Sequence, residues 1–168
     1  MKRLVGAAIL AAVCVSHGSW AAAEESWNAL NARVIQMYQK KHYTEAIPVA
    51  QKALEVAESK HGLESPQTVL ALNNLALLYK KTKKSRMAES GYLKALGISE
   101  KILPPNHPDF AVPLNNLAMF YDSQKRYKKA DEYSKRAIKI LEAAYGPNHP
   151  QVKQARKKYA EMKRERTI

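Results

Sequence analysis

Cysteine is almost missing from this chain: 168 residues hold one, Cys14. Phenylalanine and tryptophan occur twice each. The longest apolar run, Leu4 to Val15, has twelve residues, short of the roughly 20 that a membrane-spanning helix needs. Acidic residues are scarce beside basic ones, 15 against 28, for a net charge of +13. Each shortage excludes something. One cysteine cannot build a disulfide framework. No HExxH segment, Cys/His cluster or glycine-rich phosphate loop is present, so neither a metal nor a cofactor is expected. The few Asp and Glu residues are scattered, and no pair stands ready as general acid and base. The expectation is a protein that catalyses nothing.

The N-terminus carries an address. Lys2 and Arg3 precede the apolar run, and Ala21-Ala22-Ala23 follows it before Glu24. Basic, apolar and small segments in that order form a secretory signal peptide, here 1–23, with cleavage after Ala23. Val13 is too bulky for the small residue that precedes a lipidated cysteine, so Cys14 leaves with the signal. The remaining domain, 24–168, has no cysteine and no transmembrane segment. The compact signal implies a bacterial protein, periplasmic or secreted. A basic chain outside the cytoplasm rarely meets nucleic acid. Acidic protein segments, lipid headgroups and lipopolysaccharide are the anions it would meet.

What the chain has in quantity is repetition. LNNLALLY at 72–79 returns as LNNLAMFY at 114–121, a shift of 42. The same shift relates Pro66, Pro108 and Pro150; Ala46, Ala88 and Ala130; Ala53, Ala95 and Ala137; and Leu54, Leu96 and Ile138. Tyr38, however, lies 41 before Tyr79, which implies a one-residue deletion in the first unit's turn. A fixed period kept at this many small and apolar positions signals a repeat architecture.

Each unit reads as two helices. Leu72, Leu75, Ala76 and Tyr79 follow the i, i+3, i+4, i+7 spacing of one buried face, as do Ala88, Tyr92, Ala95, Leu96 and Ser99. Ser65-Pro66, His107-Pro108 and His149-Pro150 mark helix starts, with both histidines as caps rather than metal ligands. Helices are expected near 25–40, 44–60, 66–81, 86–102, 108–123, 128–144 and 150–165. Pro113 predicts a kink or a late start in the fifth. Gly91 and Gly97 each cost about 1 kcal/mol in mid-helix, which packing must outweigh.

LNNLALLY and LNNLAMFY, the Ala88…Ala95-Leu96 and Ala130…Ala137-Ile138 spacings and the NHP turns at 106–108 and 148–150 together resemble the tetratricopeptide repeat, in the 42-residue form of kinesin light chain. The chain departs from that pattern at Lys41, Lys83 and Lys125, where the family has glycine, and at Ser85, where it has an aromatic. The resemblance implies an all-α, right-handed superhelical solenoid. It would hold three helix-turn-helix units, about 25–62, 66–104 and 108–146, plus a C-terminal capping helix at 150–166. Val152, Ala155, Tyr159 and Ala160, with Met162, would cover the last apolar face, and Trp27 would close the opposite end. This favours a monomer, with a homodimer through the last helix as the alternative.

Two surfaces follow for binding. Asn73 and Asn74 sit off the buried stripe, and the resemblance implies that concave asparagines clamp an extended peptide backbone. The candidate groove comprises Arg33, Gln36, Asn73, Asn74, Leu77, Lys81, Asn115, Asn116 and Met119. It suits a protein or peptide partner, neutral or acidic, with an apolar anchor. The intra-unit turns stack along one edge, where Lys40, Lys41, Lys80, Lys83, Lys84, Arg86, Lys125, Arg126, Lys128 and Lys129 form a basic ridge for an anionic surface. No acidic residue lies within 80–86 or 125–129 to neutralise it.

Overall fold

A computed structural model describes residues 25–166, so the signal peptide lies outside the described residues. Among these residues there are seven α-helices and no strand: α1 Trp27–Gln39, α2 Tyr43–His61, α3 Pro66–Lys81, α4 Ser85–Ile102, α5 Ala111–Ser123, α6 Tyr127–Tyr145 and α7 Pro150–Glu165. Consecutive helices pack as antiparallel hairpins, and α1, α3 and α5 also touch side by side, which makes a row of first helices.

Side-chain caps start the helices where the sequence places them. Ser65 Oγ accepts from Thr68 N at 3.2 Å, and His107 and His149 accept through Nδ1 from Asp109 N and Gln151 N. Such caps are typically worth about 1 kcal/mol each. The fifth helix does start late. A single 3₁₀ turn spans Pro108–Phe110, and α5 begins at Ala111. Pro113 thus falls in the first turn, where no N–H has an intrahelical partner to lose. Pro48, by contrast, lies inside α2 and leaves the carbonyl of Thr44 without its donor; both residues are exposed.

The three intra-unit turns are copies of one another. Lys41, Lys83 and Lys125 adopt the left-handed conformation, with φ of 63°, 60° and 57°. Each amide bonds the carbonyl three residues back (Tyr38, Lys80, Asp122). The amide after each bonds back to Met37, Tyr79 or Tyr121 at 2.9–3.0 Å. This paired closure is the Schellman motif. It fixes the register at 42 throughout and corrects the expected deletion. Met37, not Tyr38, is the counterpart of Tyr79 and Tyr121, and Asn31 is the counterpart of Asn73.

One apolar cluster runs the length of the stack, from Val34 through Leu75, Tyr92 and Leu117 to Ile140. Smaller clusters close the ends: Leu30, Ala53 and Val56 under Trp27, and Ala111, Leu141, Val152 and Ala155 beneath α7. Ala160 is exposed and takes no part in the cap, whereas Tyr159 and Met162 are half-buried. The two helical glycines differ. A Cβ on Gly91 would lie 2.9 Å from Ala76 Cβ, so α3 and α4 need glycine there to pack as closely as they do. A Cβ on Gly97 would meet nothing within 4 Å, so packing does not offset its helix cost. In urea denaturation, Gly97→Ala should raise stability by about 1 kcal/mol. Gly91→Ala should lower it by about 1–3 kcal/mol through overpacking.

Candidate functional site

With the register fixed, the first helices present equivalent residues in rows 42 apart. Ile35, Leu77 and Met119 form one row, continued by Glu161 on α7; Leu70 and Val112 belong to another. Ile35 and Met119 are 46% and 54% exposed, large values for apolar residues, and Leu77 is half-buried against the core. These rows give the groove an apolar floor that the sequence pattern had shown only at Leu77 and Met119.

Asparagines cross-link the same face. Asn74 Nδ2 donates to Asn31 Oδ1 at 2.7 Å, joining α3 to α1, and Asn116 Nδ2 donates to Asn73 Oδ1 at 3.1 Å, joining α5 to α3. Asn73 also donates to its own helix at Val69 O and is only 4% exposed. This corrects the expectation that Asn73 points away from the packed surface: each first helix is enclosed on two sides, by its partner helix and by the neighbouring first helix. Asn115 is different. Among the described residues its side chain has no hydrogen-bond partner, and it faces a gap.

The gap lies between α5 and α7, because α7 packs chiefly on α6. It is a cleft of about 470 Å³ whose walls include Lys80, Asn115, Met119, Lys158, Tyr159 and Met162. Lys80 reaches into it from α3 and donates to Met119 O at 2.9 Å. Burial, with the neighbouring charge of Lys81, holds the Lys80 pKa below the usual lysine value. The far end of α7 is tied down by Arg166, which bonds Asp122 at 2.7 Å and Asp131 at 2.9 Å and lies over the Tyr127 ring at 4.6 Å. Burial alone would disfavour its charge, but the two carboxylates outweigh it and raise its pKa. Arg166 carried no recognisable signal among the many basic residues of α7.

Sequence models of the tetratricopeptide repeat match residues 27–101 and 114–151. The chain belongs to the tetratricopeptide-repeat family. Comparison with curated proteins gives no match. Among solved structures, a Podosopora anserina protein assigned as a kinesin light chain with nearly identical TPR-like repeats superposes with a TM-score of 0.71 at 17% identity, over 80% of this chain and 64% of that one. BtubC (BKLC) from P. vanneervenii gives 0.65 at 25% identity, over 76% of this chain and 52% of its own. The chain therefore spans under two thirds of either structure. Tetratricopeptide repeats are protein–protein interaction modules. Among the described residues of this one, no group of three or more His, Cys, Asp or Glu could hold a metal, and no helix is long and apolar enough to cross a membrane.

The repeat register relocates several expected residues. Arg33 and Gln36 are the counterparts of Leu75 and Leu78, both buried in the core. No helix precedes α1 among the described residues, so Arg33 and Gln36 are exposed on the open end of the stack rather than in the groove. Lys81 Nζ sits 5.8 and 5.7 Å from the Tyr38 and Tyr43 ring centres, held against the first unit by cation–π attraction. On the edge, Lys80 leaves the ridge for the cleft. Arg126 is paired with Glu89 at 2.9 Å, which supplies the acid missing from 125–129. Glu89 also accepts from Tyr121 Oη at 2.8 Å. Its burial would raise the carboxyl pKa, yet these hydrogen bonds hold it below the ordinary value. The Lys129 ammonium lies beside the same carboxylate and over Tyr121 at 5.0 Å. Lys40, Lys41, Lys83, Lys84, Arg86, Lys125 and Lys128 keep the edge without such neutralisation.

The two asparagine classes should separate in chemical denaturation. Asn73→Ala strands the Asn116 amide and should cost about 1–3 kcal/mol. Asn115→Ala removes no hydrogen bond and should stay within about 0.5 kcal/mol of the parent.

Proposed function

We propose that this protein binds an extended protein segment along the row of first helices, with an apolar side chain of that segment anchored between α5 and α7. The observation that carries this reading is the contrast among the asparagines. Asn31, Asn73, Asn74 and Asn116 spend amide groups on neighbouring helices, whereas Asn115 offers a whole unused amide beside exposed Met119. A free donor–acceptor pair next to an apolar wall suits a peptide backbone with one buried side chain. Lys80 and Lys158 flank the cleft and would favour a carboxylate on the ligand near that anchor. Affinity here concentrates at the C-terminal end of the groove, and the Ile35, Leu77 and Leu70, Val112 rows supply complementary apolar contact along the rest.

Panning a displayed peptide library on the protein tests this. Enriched peptides should share an apolar anchor, and Asn115→Ala with Met119→Ser should weaken them about tenfold or more at unchanged thermal stability. Absence of enrichment, or affinity indifferent to both substitutions, would sink the reading.

The basic, apolar and small segments at the N-terminus support export, so the partner would be met in the periplasm or outside the cell. N-terminal sequencing of protein recovered from the producing cells should start at Glu24. Recovery of chains that begin at Met1 alone would remove the export proposal.

A further inference from the structure

Among the described residues, the four other than glycine with positive φ include three lysines at one equivalent place, Lys41, Lys83 and Lys125. The left-handed region is unfavourable for residues with a Cβ and open to glycine and, less so, to asparagine. The chain uses those cheaper residues at its other positive-φ positions, Gly62, Gly146 and Asn106. At the intra-unit turns it keeps lysine three times. All three are exposed and none is in an ion pair among the described residues. The dipole at each helix C-terminus favours a cation there and offsets part of the backbone cost. Glycine would avoid that cost altogether, and the three ammonium groups remain exposed to contact from outside the chain.

The surroundings say what kind of contact that is. Lys40, Lys84, Arg86 and Lys128 flank the three lysines on the same edge. The loops of the opposite edge, 62–65, 103–107 and 146–149, hold no lysine or arginine, and nearby Lys101 is paired with Glu64. Of the two edges, the one built from the intra-unit turns thus carries the excess of positive charge. The cleft between α5 and α7 is not lined by Lys41, Lys83 or Lys125, and cations spread along an open edge suit an extended anionic surface. Met87, 47% exposed, stands in the first turn of α4 beside the lysines. Exposed lysines around an exposed methionine match the headgroup region of an anionic bilayer.

We infer that the turn edge docks onto an anionic lipid surface, with Lys41, Lys83 and Lys125 as its evenly spaced contacts. This surface is separate from the groove, so a partner segment and a membrane would be engaged together. The positive φ gives an unusual test, because removing the lysines should not harm the fold. In the triple variant Lys41→Gly, Lys83→Gly, Lys125→Gly the urea midpoint should hold or rise. Its partitioning onto vesicles of phosphatidylglycerol and phosphatidylcholine should fall about 100-fold, at about tenfold lost for every one or two cations removed. The triple Lys→Arg variant should keep the binding. Binding by the parent should fade as salt shortens the screening length from about 10 Å at 0.1 M to about 3 Å at 1 M. The protein is best recovered from cells that express the full chain. Three results would overturn the inference: no parent binding at low salt; equal binding by the glycine variant or by phosphatidylcholine alone; or salt-sensitive binding to polyglutamate without binding to vesicles, which would assign the edge to an acidic polypeptide.

Discussion

The two helices of the middle hairpin meet at Gly91, where a Cβ would stand 2.9 Å from that of Ala76. Ala46, Ala88 and Ala130 are fully buried at equivalent places and put a small side chain inside every hairpin, although Val49 and Tyr133 stand where the middle hairpin has Gly91. Small residues at the crossing let larger ones, Tyr92, Leu114, Phe120 and Tyr121, interlock around it, each such buried side chain contributing about 1.5–3 kcal/mol. Because one face of each first helix is committed to its own hairpin and another to the hairpin before, only a narrow strip is left for anything else. The groove is that strip. Its width and composition are consequences of how tightly the hairpins close.

Polar groups on such a strip have two uses, and distance from the packed seam does not separate them. An amide between two helices is stabilised when its partner is present and costly when it is stranded, so a repeat that places asparagine at matched positions tends to pair them. Here the pairing runs between residues 43 apart, one more than the period, because each donor reaches the preceding residue's counterpart in the unit before. What the pairing leaves over for the proposed recognition is Asn115, the apolar rows and the charges that border the cleft.

The helices were legible almost to the residue, because caps, prolines and the alternation of stripe and surface all act locally and agree with one another. The register of the first unit was not. Tyr38 looks like the counterpart of Tyr79, yet an apolar pocket accepts Met37 as readily as tyrosine, and Tyr38 packs beside Tyr43 at 5.2 Å instead. The turn lysines were the better ruler, since a Schellman closure admits no slip of one residue. That misreading carried Arg33 and Gln36 into the groove and kept Asn31 and Ile35 out of it. Arg166 escaped for another reason: its role depends on Asp122 and Asp131 from two other helices, and no local pattern distinguishes it from the arginines and lysines around it. Long-range electrostatics of this kind is set by the fold and becomes visible only with it.

The cleft has its cause in a break of the repeat's own pattern. At the period of 42, Asn115 and Asn116 correspond to Lys157 and Lys158 on α7. An ammonium has three donors and no acceptor, is strongly hydrated, and is expensive to enclose without a carboxylate. Two adjacent lysines are therefore disfavoured in a closed seam between helices. Lys158 lines the cleft between α7 and α5, while Val152 and Ala155 at one end and Arg166 at the other fix α7 to the stack. Lysine in place of asparagine at 158 thus leaves Asn115 without the partner that Asn73 has in Asn116. A fourth unit with asparagines at 157 and 158 would close the ladder and, with it, the cleft.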